Sequence, residues 1–248
     1  MATSRLLGPP AAPQAFLGLH LAVIMDGNGR WATAHGLSRS AGHEAGLRTA
    51  RKIVEAAVRE GVGTLTLYAF SADNWKRPGA EVTALMRLFR RALIGEAKRC
   101  LENGVRLTIL GRRDRLPSTL RRTVEEVEAV TSAGARMHLR VAVDYSARDA
   151  VLRAAAAVRG DAIPREGFSE LLARVDHDRL PARDVDLVVR TGGEQRLSDF
   201  LLWECAYAEL LFVKKMWPEF TADDLAEALE DFRGRNRRFG LAPEQVAS

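Results

Sequence analysis

The stretch His20-Leu-Ala-Val-Ile-Met-Asp-Gly-Asn-Gly-Arg30 carries the strongest signal for both fold and function in this chain. Residues 21–25 form a short apolar run with a β-branched pair, which favours a fully buried strand. The run stops at Asp26-Gly27-Asn28-Gly29, where glycine permits unusual backbone angles and a close approach of the chain to a ligand. We therefore expect a buried strand that leads directly into a polar loop.

The residues that follow this loop suit an anionic ligand. Arg39 and His43 stand before or in the first turns of a predicted helix that runs from about 41 to 60. Backbone N–H groups in such a loop and at a helix start can hold phosphate oxygens, and guanidinium groups add charge-assisted bonds. Asp26 would repel a phosphate unless a hard cation such as Mg²⁺ lay between them. The simpler alternative is a strand-to-helix turn whose polar side chains only cap a helix.

Strands and helices alternate along the rest of the chain. Strands are predicted at 64–70, 105–110, 137–143, 185–189 and 209–213. Helices are predicted at about 81–101, 116–130, 147–158 and 200–206, with one or two short helices between 160 and 181 and a closing helix marked by Leu225, Leu229, Phe232 and Phe239. This alternation predicts an α/β fold, with one six-stranded, mostly parallel sheet and helices on its faces.

Ligands of such sheets bind at the carboxyl ends of the strands. The polar loops at 26–30, 71–77 and 190–198 follow three predicted strands, so we expect them to open on the same rim. The pair Gly192-Gly193, flanked by Arg190 and Arg196, resembles a second anion cradle. Two such clusters indicate either two phosphorylated substrates or one long one.

Several of these residues have a structural alternative. Trp75 offers an aromatic face beside the amide of Asn74, but it could equally be a core residue. Glu209 at the mouth of a strand could be a second metal carboxylate or a solvated side chain. Without the glycine pair, Arg190 and Arg196 would be read as surface charges.

Composition narrows the class of protein. The chain has 248 residues, a formal charge of +5 and a pI near 9.6, which suits an anionic ligand without choosing among diphosphate, nucleic acid and membrane surface. Cys100 and Cys205 lack metal-type spacing, and we expect two buried thiols in a reducing cytoplasm. No run is long enough to cross a bilayer. We expect a flexible leader at 1–18, one catalytic domain at 19–240 and a tail at 241–248.

Three blocks of the chain, in the right order, resemble the signatures of the cis-prenyltransferases, typified by undecaprenyl diphosphate synthase. The first is residues 20–32 with Arg39 and Gly42-His43. The second is Tyr68-Ala-Phe-Ser-Ala-Asp-Asn-Trp-Lys-Arg-Pro78, and the third begins with Asp186-Leu-Val-Val-Arg-Thr-Gly-Gly-Glu-Gln-Arg-Leu-Ser198. The resemblance implies a homodimer in which each subunit has a hydrophobic tunnel. It also implies Mg²⁺-dependent condensation of isopentenyl diphosphate onto an allylic diphosphate, with peripheral membrane contact for release of a lipid product and no nucleic-acid partner.

The same resemblance implies a role for each matching residue. Asp26 would hold the metal at the allylic diphosphate, with Glu209 as the second metal carboxylate, and Asp26 and Asn74 would be the catalytic residues. The residues that would surround the allylic diphosphate are Gly27, Asn28, Gly29, Arg30, Trp31, Arg39 and His43. The residues that would place the reacting ends and assist proton removal are Phe70, Ser71, Asn74, Trp75 and Arg77. The isopentenyl diphosphate would bind Arg190, Arg196 and Ser198.

Two departures from the bacterial pattern affect the predicted product. Asp144-Tyr-Ser-Ala-Arg148 stands where bacterial members typically read Asn-Tyr-Gly-Gly-Arg, and Arg90-Arg91 replaces bulky apolar residues on the long helix. The helix length favours a medium-length product of undecaprenyl type, made from farnesyl diphosphate. If Arg90 or the Asp144 loop narrowed the tunnel, a short or irregular product would result instead. A non-catalytic partner subunit is a more distant alternative, and a nucleic-acid binder, which rests only on the net charge, is more distant still.

Overall fold

The computed structural model describes residues 16, 18–160, 162–181 and 183–235. The strands are β1 (His20–Ile24), β2 (Thr64–Ser71), β3 (Val105–Leu110), β4 (Met137–Tyr145), β5 (Leu187–Arg190) and β6 (Glu209–Phe212). The α-helices are α1 (Asn28–Ala34), α2 (Arg39–Arg59), α3 (Gly79–Glu102), α4 (Ser118–Thr131), α5 (Ala147–Ala157), α6 (Arg165–Val175) and α7 (Ala222–Gly234). Short 3₁₀ helices span Ala72–Lys76 and Trp217–Glu219.

The described strands form one six-stranded sheet in the order β3-β4-β2-β1-β5-β6, and every neighbouring pair is parallel. The predicted fold class is therefore confirmed. Because all strands point the same way, the loops that follow β1, β2 and β5 leave the same edge of the sheet. Strand β1 lies between β2 and β5, so its polar loop is central on that rim.

The alternation of side chains along β1 explains how the sheet holds helices on both faces. Leu21 and Val23 pack into a core with α2, α3, α4 and α7, whereas Ala22 and Ile24 pack into a second core that includes the start of α5. Helix α6 packs against α5 in a smaller cluster. A strand with apolar residues on both sides is buried on both faces, as the unbroken apolar run predicted.

Two predicted elements differ from the structure, and one helix was not predicted. The predicted helix at 200–206 is a series of bends and turns, because Leu201 has a positive φ angle that an α-helix does not accept, as do Ser198 and Asp199 just before it. Helix α1 was not predicted, because it begins at Asn28, inside the segment that we expected to be a polar loop. Strand β5 begins and ends later than predicted. Of the leader only residues 16 and 18 are described, and the tail at 241–248 and Phe239 lie outside the described residues.

Both cysteines are buried and unpaired, as expected. Burial raises the pKa of the Cys100 thiol to about 11 and that of the Cys205 thiol to about 12, so both are protonated at neutral pH. In the part of the chain that the structure describes, none of the helices combines the length and apolar character that crossing a bilayer requires.

Candidate active site

Asp26 lies at the carboxyl end of β1, where its carboxylate contacts two guanidinium groups. One oxygen accepts a hydrogen bond from Nη2 of Arg190 at 2.9 Å, and the other lies 3.2 Å from Nη2 of Arg30. Partial burial opposes ionisation of Asp26, but the hydrogen bond and charge of Arg190, with those of Arg30, hold its carboxyl pKa below the usual value. Asp26 is therefore ionised at neutral pH, and its side chain remains 29% exposed.

The loop after β5 supplies the second half of this cluster. Arg190 is buried, and besides Asp26 it donates hydrogen bonds to Oγ of Ser198, at 2.8 Å, and to the backbone oxygen of Arg196. Its Nε is buried without a partner among the described residues. Arg196 is exposed and forms an ion pair with Glu194, which also lies 3.7 Å from Arg30. The three residues predicted to bind the second diphosphate are thus brought together beside Asp26.

The glycine pair between these arginines does not form the predicted anion cradle. The N–H of Gly192 donates to the backbone oxygen of Lys215 at 2.8 Å, and that of Gly193 donates to Val213 at 2.9 Å. Both N–H groups are already used to join the β5 loop to the chain that follows β6. An anion at this position would be held by side chains, because these backbone donors are occupied.

The loop after β1 packs closely against α2. Gly27 has a φ angle of 109°, a conformation that favours glycine, and it precedes Asn28, the first residue of α1. A Cβ atom on Gly46 would lie 2.2 Å from Oδ1 of Asn28, so only glycine lets α2 approach this side chain. Oδ1 of Asn28 is buried without a hydrogen-bond partner among the described residues.

The other predicted residues of the first block lie on or beside α1. Gly29 and Trp31 belong to α1, where the Trp31 ring packs on His35. A Cβ atom on Gly29 would lie 3.3 Å from the guanidinium carbon of Arg39, so the start of α2 lies against the start of α1.

Glu81 in the first turn of α3 gathers three of the predicted cationic residues. Its carboxylate lies 2.9 Å from Nη1 of Arg77, 3.5 Å from Nε of Arg39 and 3.4 Å from Nε2 of His43. No role was predicted for Glu81 from the sequence. The available signal was the four-residue spacing from Arg77, which places the two side chains on one face across the start of a helix.

His43 is neutral at neutral pH in this arrangement. Burial lowers the pKa of its imidazole, and the charges of Arg77 and Arg39 lower it further, although contact with Glu81 opposes the shift. An added negative charge would oppose the effect of both guanidinium groups. The protonation state of His43 should therefore respond to an anion bound beside it.

The second block forms a compact turn at the end of β2. The backbone N–H of Ser71 donates to Oδ1 of Asn74 at 3.2 Å, which closes the 3₁₀ helix that follows. Phe70 is buried, and its ring meets the ring of Trp75 edge to face at 5.4 Å. Trp75 is partly buried against the main core, so the alternative that Trp75 is a core residue also fits the structure.

Trp75 is also held from its other side. The guanidinium carbon of Arg115 lies 5.5 Å from the centroid of the Trp75 ring, at cation–π distance. Arg115 in turn binds both carboxylate oxygens of Asp144, which is buried and has a φ angle of 54°. The Asp144 side chain thus supports the 3₁₀ turn that carries Asn74, and Asp144 is absent from the lining of the apolar cavity between the sheet and helices α2 and α3.

Glu209 does not join this cluster within one chain. It begins β6 and pairs in register with Leu187 at the start of β5, whereas Arg190, beside Asp26, ends β5. Its carboxylate forms an ion pair with Arg235 at 3.0 Å. Glu209 therefore lies toward the opposite end of the sheet from Asp26.

An apolar cavity of about 520 Å³ adjoins the rim. It lies between the sheet and helices α2 and α3, and Asn28, His43 and Gly46 line it where it meets the polar residues. Its size is typical of ligand-binding pockets. Arg90 is exposed and absent from the lining, so its side chain extends outward and does not narrow this cavity.

The residues around Asp26 fit a magnesium ion. Mg²⁺ is usually bound through one or two carboxylates together with substrate phosphates, rather than by an all-protein cage. Asp26 offers one ionised, partly exposed carboxylate, and no group of three or more metal-binding side chains occurs among the described residues. A site of this kind would need the substrate to complete it.

Comparisons with known proteins agree with the fold and the rim. Residues 24–240 match the protein family described as "Putative undecaprenyl diphosphate synthase". Isoprenyl transferase 1 of Bradyrhizobium diazoefficiens is 59% identical over 235 residues, covering 93% of this chain and 94% of that protein. A (2E,6E)-farnesyl-diphosphate-specific ditrans,polycis-undecaprenyl-diphosphate synthase of Xanthomonas oryzae is 43% identical, covering 96% of this chain and 94% of that protein.

Two solved structures share the architecture. Lavandulyl diphosphate synthase from Lavandula x intermedia, in complex with dimethylallyl diphosphate, superposes with a TM-score of 0.81 at 31% identity, covering 89% of this chain and 97% of that one. A probable undecaprenyl diphosphate synthase from Campylobacter jejuni superposes with a TM-score of 0.72 at 32% identity and the same coverage. The chain therefore belongs to the undecaprenyl diphosphate synthase family of cis-prenyltransferases and is a transferase.

Proposed function

We propose that the chain condenses isopentenyl diphosphate with an allylic diphosphate, farnesyl diphosphate, in a Mg²⁺-dependent reaction that gives a polyprenyl diphosphate of undecaprenyl type. The observation that carries this proposal is the junction of a charged rim with an apolar cavity. Asn28 and His43 belong to both, so a diphosphate at the rim would direct its hydrocarbon tail into the cavity. The charged rim suits the diphosphate end of a prenyl diphosphate, and the apolar cavity suits its hydrocarbon end.

The two cationic clusters of the rim suit two diphosphates. The allylic diphosphate would bind beside Gly27, Asn28, Gly29, Arg30, Trp31, Arg39 and His43. The isopentenyl diphosphate would bind Arg190, Arg196 and Ser198; Arg190 already donates hydrogen bonds to the backbone oxygen of Arg196 and to Oγ of Ser198. Because Asp26 contacts Arg30 and Arg190, it lies between the two clusters.

Departure of the allylic diphosphate is the demanding step. The carbon–oxygen bond of the allylic diphosphate breaks, and a carbon–carbon bond forms to C4, the terminal alkene carbon of isopentenyl diphosphate. Positive charge develops at C3, and loss of a proton from C2 forms the new double bond. Fixed positive charge from Arg30, Arg39 and Arg77 would stabilise the departing diphosphate. Asn74 is an amide and a poor base, so it would orient the proton acceptor, for which a diphosphate oxygen is available. Phe70, Ser71 and Trp75 would place the alkene.

Asp26 would hold Mg²⁺, which supplies charge neutralisation between the carboxylate and the diphosphates. For Glu209 to be a second metal carboxylate, it would have to come from another copy of the chain. Strand β6 is the edge of the sheet. A two-fold axis beside this edge would bring the start of β6 in the partner subunit next to the rim of this chain. We therefore propose a homodimer formed along this edge, where Leu202, Tyr207 and Leu210 are exposed.

Two observations bear on product length. Neither Arg90 nor Asp144 lines the cavity, which supports a medium-length product over a short one. The name of the Xanthomonas oryzae relative points to a farnesyl primer and an undecaprenyl product. The similarity to lavandulyl diphosphate synthase favours the second candidate, a short or irregular prenyl diphosphate synthase of the same fold.

The test is to incubate the pure protein with labelled isopentenyl diphosphate, farnesyl diphosphate and Mg²⁺ and to resolve the products by chain length. We expect a product of undecaprenyl type that forms only with Mg²⁺. A product extended only once or twice would replace the product assignment with the second candidate. No extended product from any of several allylic primers would favour a non-catalytic partner subunit.

The remaining expectations are proposals as well. We propose a cytoplasmic location, contact with the membrane surface for release of the lipid product, and no nucleic-acid partner. The basic residues of the described rim have acidic neighbours and no ladder of aromatic rings on which bases could stack, as single-stranded nucleic-acid sites require.

A further inference from the structure

The outer face of α3 carries a continuous stripe of cationic and apolar side chains. Arg87, Arg91, Ile94, Lys98 and Leu101 recur every three or four residues and so share one side of the helix, with Arg90 beside them; we call these six residues the outer stripe. All six are exposed, Ile94 by 54% and Leu101 by 51%. Two large apolar side chains are therefore exposed to solvent beside the four positive charges of the same stripe.

The charge of the outer stripe is only partly balanced. Arg87 and Arg90 have no carboxylate within 4.0 Å in the described part of the chain. Arg91 lies 3.0 Å from Glu44, and Lys98 lies 3.6 Å from Glu102, but in both pairs the two partners are exposed. Exposed ion pairs of this kind are weak and are easily exchanged for other anions. The stripe therefore presents cations that can bind external negative charge.

The opposite face of the same helix lines the apolar cavity. Leu85, Leu88, Phe89, Ala92 and Leu93 all contact the cavity from α3. A single helix therefore separates the space proposed for the prenyl tail from the outer stripe.

We propose that the outer stripe docks α3 flat on an anionic lipid bilayer, with its cations at the headgroups and Ile94 and Leu101 in the interface. Helices with a basic face and interspersed apolar residues bind membranes in this orientation. The inference rests on the proposed function, which supplies the lipid product. Docking by the outer stripe would leave only α3 between the cavity that holds this product and the bilayer that receives it. It adds to that function a defined surface and a defined partner.

Sedimentation with lipid vesicles tests the proposal. We expect the full chain to bind vesicles of phosphatidylcholine with phosphatidylglycerol, to bind pure phosphatidylcholine much more weakly, and to be released by high salt. The variant Arg87→Glu with Arg90→Glu should bind the anionic vesicles at least about 30-fold more weakly. Ile94→Ser should weaken binding by less, about threefold to tenfold.

The matched control is Arg159→Glu with Arg165→Glu. It changes the net charge equally, but both residues are exposed next to α5 and α6, on the other face of the sheet. We expect this control to bind within about threefold of the unchanged protein. Equal loss of binding in both double variants would overturn the proposal in favour of attraction by net charge alone. No preference of the unchanged protein for anionic vesicles would overturn it outright.

A vesicle-free assay separates this proposal from the proposed function. With isopentenyl and farnesyl diphosphates in solution, the Arg87→Glu, Arg90→Glu variant should keep its initial rate of condensation, because the outer stripe lies away from the rim. Vesicle binding without any condensation would overturn the proposed function and leave the docking surface standing. Condensation without stripe-dependent vesicle binding would overturn the docking surface only.

Discussion

Asp26 and Glu81 are both carboxylates surrounded by cations, but the two clusters are built differently. Asp26 lies on a loop, is 29% exposed and contacts two guanidinium groups, one in the first turn of α1 and one at the end of β5. Glu81 lies in the first turn of a long helix, is 13% exposed and contacts Arg77 just before that helix together with Arg39 and the neutral His43 of α2. An exposed carboxylate can exchange its partners for a metal, whereas an enclosed one serves to fix the cations around it.

Removing the charge of Asp26 should have the most severe consequence for activity. We expect Asp26→Asn to lower kcat at least about a thousandfold, because the metal and the diphosphate charge would no longer be balanced. The melting temperature should change by only a few degrees, since this loop side chain buries little apolar area. Rates of Mg²⁺-dependent condensation measure the effect. Activity close to that of the unchanged protein would remove Asp26 from the mechanism.

Glu81→Gln should have a smaller effect of a different kind. Arg39 and Arg77 would keep their charges, but they and His43 would lose the carboxylate that positions them. Misplaced binding groups lower the efficiency of an enzyme, and we expect kcat/KM for the allylic substrate to fall about tenfold to a hundredfold.

The matched control for Glu81 is Glu44→Gln, which removes another ion pair between α2 and α3, on the outer surface. We expect steady-state kinetics in solution to be unchanged by this control. If both variants lost the same activity, Glu81 would matter only for joining the two helices.

His43 should give substrate binding a modest pH dependence. Its pKa is lowered in the free protein, and a bound diphosphate would raise it, so binding takes up a proton. The added affinity is complete below the lowered pKa and is lost as the pH rises through the pKa of the bound state. Titrations with a diphosphate at several pH values should show a shallower pH dependence for His43→Gln. Identical profiles for the two proteins would contradict this role, because the titration of diphosphate itself is common to both.

Asp144→Asn should be the mildest change. The buried side chain would keep one acceptor for Arg115 and lose the ionic part of the pair. We expect the free energy of unfolding to fall by about 1–2 kcal/mol and the product lengths to stay the same, since Asp144 does not line the cavity. Chemical denaturation and product analysis measure the two quantities. A shift in product length would show that this loop affects the cavity after all.

The sequence predicted the sheet and the rim because both depend on local patterns. The apolar run before Asp26 and the polar loops after β2 and β5 follow from residues that are adjacent in the chain. The same patterns placed Arg190 beside Asp26, since parallel strands end on one edge.

The sequence did not predict features that depend on distant contacts. Glu81 gains its role from α2, which precedes it by some forty residues along the chain. The backbone donors of Gly192 and Gly193 are taken by residues after β6, which no local pattern reveals. The turns at 200–206 arise because buried aromatic contacts, such as that of Phe200 on Tyr68, outweigh the helical spacing of apolar residues.

Calorimetric titration of inorganic diphosphate, with and without Mg²⁺, distinguishes the two carboxylates directly. For the unchanged protein we expect Mg²⁺ to strengthen binding. Asp26→Asn should lose this gain, whereas Glu81→Gln should bind more weakly in both conditions and keep the gain. Retention of the gain in Asp26→Asn, or its loss in Glu81→Gln, would contradict the assignment of the metal to Asp26.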